Sequence, residues 1–273
     1  MMFKKAPGKS HRKGISLVEI MRKFPNDMTA EAWFVQRRWP DGVHCPHCGS
    51  TNVQTGVKHK TMPFRCREKE CAKRFSTKTG TVMEDSKLGF QVWMIATYLL
   101  STSLKSVSSM KLHRDLNINQ RSAWFLAHCF RAVLAEKGGV FDGPVEVDET
   151  CFGGRRKNMS NAKRKDVARG YEGMPFNHET VTHSLFEYDR GDVNTNGIES
   201  LWSTMKRAHK GIFHKMSPKH LDRYVGEFPA RHNLREADTI DIMGAIADGG
   251  VGKRLRYREL IAVNGLASGT RSP

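Results

Sequence analysis

The chain has 273 residues, with 45 Lys and Arg against 28 Asp and Glu, a formal net charge of +17. It is 38% hydrophobic and 27% charged, the balance of a folded chain with a real core rather than a disordered or fibrous one. An excess of positive charge this large favours a polyanionic partner, nucleic acid before an acidic membrane surface, since no long amphipathic basic helix or lipidation signal accompanies it. A basic tail opens the chain, with no apolar stretch of the secretory kind in MMFKKAPGKSHRK. Residues 15–38 are expected to be helical with a break at Pro25. Thr29 is the expected N-cap of the second piece, and Ala32, Trp33 and Val35 its apolar contacts. Pro40-Asp41-Gly42 is a turn, and residues 43–83 carry cysteines and short strand-like runs, MPFRC and KRFST. Residues 87–136 have helical period, broken by polar residues near Ser101–Ser103 and Asn117–Asn119. The apolar run from Leu88 to Leu100 falls short of the ~18 residues a membrane span needs. Gly138-Gly139 marks a boundary. PVEVDETCF (144–152) alternates like a strand, 153–170 is a basic loop, 181–188 a short strand, and helices follow to a polar tail.

Four of the six cysteines form two close pairs, Cys45-Pro-His-Cys48 and Cys66-Arg-Glu-Lys-Glu-Cys71. In a chain without secretory signals that spacing reads as a metal site in a reducing, cytoplasmic setting rather than as disulfides. Four thiolates give a closed tetrahedral zinc site that holds a small module together and leaves no ligand position for catalysis. His44 and His47 are expected to be exposed, and Cys129, in an apolar helix, to be core. Lys58, His59, Lys60, Arg65, Arg67, Lys73 and Arg74 surround the cysteines. With the overall charge they read as phosphate contacts rather than as a merely solvated face.

Val107–Leu112, a break, then Gln120–Leu134 has the outline of a helix-turn-helix, or equally of a plain helical hairpin. Ala123, Trp124, Ala127, Phe130 and Leu134 would face inward. Asn119, Gln120, Arg121 and Ser122 would stand at the start of the second helix, where a recognition helix meets a major groove. Further on, Glu146, Asp148 and Thr150 share one face of a strand that is otherwise apolar. An acid there needs a metal or a partner, and Asp148 is the stronger candidate with Glu146 its rival. In NTNGIESLWSTMKR, Ile198, Leu201, Trp202 and Met205 make an apolar helical stripe. Asn196, Glu199, Ser203 and Lys206 lie together on a neighbouring flank.

The order of a cysteine ribbon, a helical segment, VEVDETCFGGRRK, and then NHETVTHS with GDVNTNGIESLWSTMKRAHKGIFHKMSPKHLDRYVGEFPARHN resembles bacterial insertion-sequence transposases of the ISXO-two-like group, over nearly the whole chain. The resemblance implies a multi-domain α+β protein. An N-terminal basic tail and helix (1–38), a zinc ribbon (39–85) and a helical, helix-turn-helix-like segment (86–138) would precede a ribonuclease-H-like α/β domain (139–262) and a disordered tail (263–273). It implies an acidic triad holding two Mg²⁺ or Mn²⁺ ions for strand cleavage and transfer, where paired metals activate the nucleophile and stabilise the leaving oxygen of an in-line displacement. Asp148 matches the first acid. Asp166, in Asp-x-x-Arg-x-Tyr with Arg169 and Tyr171, matches the middle one. Glu199 matches the helix carboxylate, Asn196 is the alternative ligand, and Lys206 matches a residue touching substrate phosphate. The implied partner is double-stranded DNA, both terminal inverted repeats and target, bound by a nucleoid-associated protein acting as a homodimer on paired ends. The candidate contacts are Arg65, Arg67, Lys73, Arg74, Gln120, Arg121, Arg155, Arg156, Lys157 and Lys210.

One departure stands out. Asp166 lies only 18 positions after Asp148, whereas a single parallel crossover unit takes about 30 residues. Residues 149–165 are polar and basic, and bridge the distance without replacing the missing strands. The expectation is an internal deletion just before Asp166, a truncated domain and a reaction that is weak or lost. The competing expectation is a non-catalytic DNA-binding protein. A zinc-ribbon transcription factor, indifferent to inverted repeats, is the third.

Overall fold

The computed structural model describes residues 13–135, 189–190, 193–194, 196–266 and 268. Asp148, Asp166, Arg155, Arg156, Lys157, the 144–152 and 181–188 strands, the basic N-terminal tail and most of the C-terminal tail lie outside the described residues. The chain divides into two units, residues 1–137 with 212–273, and residues 138–211.

The first unit begins with helix α1 (Leu17–Lys23), closed by a reciprocal cap in which Ser16 Oγ accepts from the Glu19 N–H and the Glu19 carboxylate accepts from the Ser16 N–H. Pro25 separates it from α2 (Asp27–Arg38). Here the N-cap is Asn26, whose Oδ1 accepts from the Thr29 N–H at 3.0 Å; the expected cap, Thr29, is the residue being capped. The buried face of α2 is also rotated from expectation. Ala30 and Phe34 are buried, whereas Ala32 is exposed and Trp33 and Val35 are half-buried. Phe34 turns inward because it meets Trp33 edge-on and the Phe90 ring of the next helix.

A three-stranded antiparallel sheet follows, β1 (Val53–Gln54), β2 (Phe64–Cys66) and β3 (Arg74–Phe75), in the order β1-β2-β3. The runs MPFRC and KRFST do contain its two longer-range partners. Cα pairs are Val53 with Cys66, Gln54 with Arg65, Phe64 with Phe75 and Arg65 with Arg74. The sheet buries Phe64, Cys66 and Phe75 against Trp39 at the end of α2, with the rings of Trp39, Phe64 and Phe75 within 5.5–6.0 Å of one another.

Helix α3 (Phe90–Thr102) has no side-chain cap of its own at Gly89. The Asp27 carboxylate of α2 supplies one, accepting from the Gln91 N–H at 2.9 Å. Helix α3 ends at the first polar break read in the sequence, and helices α4 (Ser109–Asp115) and α5 (Gln120–Leu134) lie on either side of the second. After the second unit come a short 3₁₀ turn (Pro218–His220), α7 (Leu221–Asn233), α8 (Thr239–Gly249) and α9 (Tyr257–Ile261). One continuous core joins Ile20, Phe34, Trp93, Met94, Leu126, Phe130, Met243 and Leu260, so the N-terminal helices, the hairpin α4–α5 and the C-terminal helices fold together. The segment after the ribbon is stitched to the end of α8, with Val82 N–H donating to Gly250 O and Gly252 N–H to Gly80 O, both at 2.9 Å.

In the second unit the described residues form a two-stranded antiparallel pair, β4 (Asp189–Arg190) and β5 (Val193–Asn194), and helix α6 (Asn196–Ala208), which runs into a π turn at His209–Phe213. No described helix is long and apolar enough to cross a membrane.

Candidate functional site

The cysteine site is built by two backbone knuckles. In the first, Cys45 O accepts from Gly49 N–H at 2.8 Å and Cys45 N–H donates to Ser50 O at 2.9 Å, a turn that needs Gly49 at φ +77°. In the second, Glu68 O accepts from both Cys71 and Ala72 N–H. The four Sγ atoms of Cys45, Cys48, Cys66 and Cys71 all lie within 4.8 Å of one another, with Cys45 and Cys71 3.7 Å apart and Cys48 and Cys66 3.6 Å apart. A tetrahedron with Zn–S of about 2.3 Å has sulfurs about 3.8 Å apart. The sulfurs are far outside disulfide distance and the cysteines are free. The donor set and its spacing fit structural zinc. It would cross-link β2 and the two knuckles around a core of only a few side chains. His44 and His47 are exposed, as expected, and Cys129 is fully buried in the helical core.

On the outer face of this sheet stand Gln54, Arg65 and Arg74, all exposed, opposite the buried Phe64 and Phe75. Arg67, Lys73, Lys58 and Lys60 are exposed around them. Arg65, Arg67, Lys73 and Arg74 have no ion pair among the described residues. Gln54 was not singled out from the sequence, although the alternation of Val53 and Gln54 continues the row.

The start of α5 is more committed than a free recognition helix. Asn119 Oδ1 accepts from the Ser122 N–H at 2.7 Å, so its oxygen is spent as a cap. Arg121 is exposed and leans toward the Tyr257 ring, 6.0 Å from its centroid, while Gln120 is free to reach outward. Beyond the first turn α5 is wrapped: Ala123, Leu126, Ala127, His128, Cys129, Phe130, Arg131, Val133 and Leu134 are all buried. Trp124, expected inward, is half-buried and faces His128 and His220 edge-on.

Sequence reading missed the polar groups of this core. Arg131 and Glu227 are 3% and 1% exposed and pair at 3.1 Å, and Arg231 joins Glu227 at 2.7 Å. Burial pushes the Glu227 carboxyl up, but the Arg231 and Arg131 guanidiniums outweigh it and hold the group below the usual carboxylate value. The Arg131 guanidinium also lies 4.0 Å from the Tyr224 centroid. His128 is fully buried, neither ring nitrogen has a hydrogen-bond partner among the described residues, and burial, with Arg131, His220 and Arg223 adding positive charge, takes its pKa down to about 2. His220 is buried against that ring, 4.9 Å between centroids, because the 3₁₀ turn before α7 tucks it under Trp124.

Helix α6 confirms the apolar stripe. Met205 and Ala208 are buried and Ile198, Leu201 and Trp202 half-buried. Glu199, Ser203 and Lys206, at helical spacing on the neighbouring flank, are exposed, and so is Lys210 in the π turn. Asn196 opens the helix. Among the triad candidates only Glu199 has a described side chain.

Two families match. Residues 25–74 match the one described as "Transposase zinc-ribbon domain", which takes in the four cysteines and the basic sheet face. Residues 166–233 match "ISXO2-like transposase domain", from Asp166 to the end of α7. The chain is 27% identical over 158 residues to a Halobacterium salinarum protein named "Uncharacterized protein in transposable element ISH50". That alignment covers 55% of this chain and 51% of the relative, so the chain spans about half the length of the curated relative it matches. No solved structure matches. The cysteine pairs and the NTNGIESLWSTMKR helix, which carry the resemblance, fall within these two matched segments, one similar to a transposase zinc ribbon and the other to an ISXO2-like transposase domain.

Proposed function

We propose that this chain is an insertion-sequence transposase that binds double-stranded DNA at terminal inverted repeats and target sites. Its ancestral reaction is metal-dependent strand cleavage and transfer. The observation that carries the reading is the succession, in one strongly basic chain, of a transposase zinc ribbon and an ISXO2-like transposase segment. The ribbon, the start of α5 and Lys210 would contact DNA, with Arg155, Arg156 and Lys157 contributing from the basic loop. A homodimer would hold two ends together, on the nucleoid in the cytoplasm.

In this reading residues 139–262 derive from a ribonuclease-H-like domain, and Asp148, Asp166 and Glu199, with Asn196 the alternative to Glu199, would hold Mg²⁺ or Mn²⁺. The metals supply nucleophile activation and charge neutralisation at the phosphate. The chain's own contribution on α6 is the flank itself. Glu199 presents a carboxylate to solvent, and Lys206, two turns on, presents an ammonium that can hold a phosphate oxygen beside it. The reaction would be impaired. The 18-position offset from Asp148 to Asp166 is too short for the strands that should aim both acids, and the ISXO2-like match opens at Asp166 and leaves Asp148 outside. That gap also supports the second reading, a non-catalytic DNA-binding protein derived from a transposase, which would occupy element ends without cutting them.

A nicking assay on duplexes from the flanking inverted repeats, with Mg²⁺ or Mn²⁺, separates the two. Metal-dependent nicking that Glu199→Gln abolishes, with binding intact, supports the enzyme. Tight end binding with no nicking supports the second reading. No preference for the repeats over unrelated duplexes would overturn both in favour of a general zinc-ribbon DNA binder.

A further inference from the structure

The register of the ribbon sheet places two arginines directly opposite each other. Arg65 on β2 and Arg74 on β3 are Cα partners, and both side chains point to the solvent face. Strands in a sheet are about 4.8 Å apart, and like charges facing each other across that spacing repel. Neither arginine has an acidic partner among the described residues. Between residues 43 and 77 there are seven Lys and Arg against two Glu, Glu68 and Glu70. Both belong to the second knuckle, and Glu68 is occupied by the Ser50 hydroxyl at 2.8 Å. The juxtaposition therefore lacks internal compensation, and a full negative charge supplied from outside would relieve it.

The same face excludes other ligands. Its Phe residues, Phe64 and Phe75, are turned into the core with Trp39, so no aromatic platform is offered to an unstacked base. A guanine edge offers hydrogen-bond acceptors but no net charge, and leaves the arginine pair uncompensated. A phosphate diester offers both. Gln54, next in the row, adds a neutral donor, and Lys73, Arg67, Lys58 and Lys60 extend the positive field on the same module.

We propose that the outer face of the ribbon sheet, through the Arg65–Arg74 pair flanked by Gln54, clamps the phosphate backbone of duplex DNA without reading its sequence. Within the DNA-binding function proposed above, and resting on it, the ribbon is then the sequence-independent grip, and selection of element ends falls to other parts of the chain.

The test uses the full chain loaded with zinc, and binding to two duplexes of equal length and unrelated sequence, and to one of their single strands, over a range of salt. In Arg65→Gln/Arg74→Gln the affinity falls by the same factor on both duplexes. The slope of log K against log salt becomes shallower by about 1.8, because each arginine no longer neutralises its phosphate. Arg74→Glu, which places an acid opposite Arg65, raises the thermal midpoint of the ribbon while lowering DNA affinity, opposite directions that a merely structural role cannot give. With a wild type that binds, loss confined to one sequence, a salt slope unchanged in Arg65→Gln/Arg74→Gln, or a preference for the single strand would overturn the clamp and leave the DNA-binding reading standing. A wild type that binds none of the three probes would overturn both.

Discussion

Arg131 and Glu227 meet at 3.1 Å in the interior, although they lie 96 positions apart in the chain. One sits on α5 and the other on α7, and α7 is the end of the segment that matches the ISXO2-like domain. Arg231, one turn further along α7, reaches the same carboxylate and donates to Leu100 O and Ser103 O at 2.9 and 2.8 Å, which ties the C-terminus of α3 into the same network. Three helices from distant parts of the sequence are therefore fixed by one buried acid.

Removing that acid leaves two guanidiniums in a low-dielectric interior. Glu227→Ala should cost roughly 3–5 kcal/mol, visible as an early denaturation midpoint. Arg131→Met/Glu227→Leu should lie closer to wild type than Glu227→Ala, since it leaves only Arg231 without the carboxylate, and that guanidinium still donates to Leu100 O and Ser103 O. A double variant no better than the sum of its parts would show that the pair is not coupled.

His128 makes the fold acid-sensitive in a defined window. Its folded pKa, about 2, lies below the ordinary value near 6.5, so the unfolded chain takes up a proton that the folded chain refuses. Stability is then full above that ordinary value and falls as the pH drops below it, by about 1.4 kcal/mol per unit. Between pH 7 and 5 wild type should lose about 2 kcal/mol more than His128→Leu, measured by urea unfolding at each pH. Glu227, with a lowered pKa, contributes stability that is present above the unfolded carboxylate value and lost only as pH falls further, which keeps the two effects apart.

The ribbon should depend on its metal. One zinc per chain is expected, lost in Cys66→Ser. Chelation should abolish hydrogen-exchange protection of β2 while leaving α5 protected, because the aromatic cluster of Trp39, Phe64 and Phe75 is separate from the helical core. Protection of β2 that survives chelation would show that the aromatic cluster suffices.

Asp27 works as the cap of a helix to which it does not belong. Asp27→Ala should cost about 1 kcal/mol and speed exchange of the Gln91 amide. Gly89→Ala should do the same by another route, since a methyl group at Gly89 would collide with the Asp27 carboxylate. Unchanged exchange at Gln91 in both variants would show that this end of α3 is capped by water instead.

Local rules in the sequence determined a good deal. Two knuckle spacings specify the four sulfurs, because a cysteine's metal reach is set by a few neighbouring peptides. Period and breaker residues specify α2, α3, α5 and α6, and alternation specifies the ribbon strands. Tertiary structure alone decided which faces those elements bury. It turned Phe34 rather than Val35 inward, gave Asp27 to α3, hid His128 and His220, and made Arg131 and Glu227 a core pair rather than surface charges. It also decided that Arg65 and Arg74 confront each other, since register comes from pairing between strands and not from either strand. The reason is common to all of them: the free energy of a buried or opposed charge depends on which distant residue arrives beside it, and no local pattern carries that information.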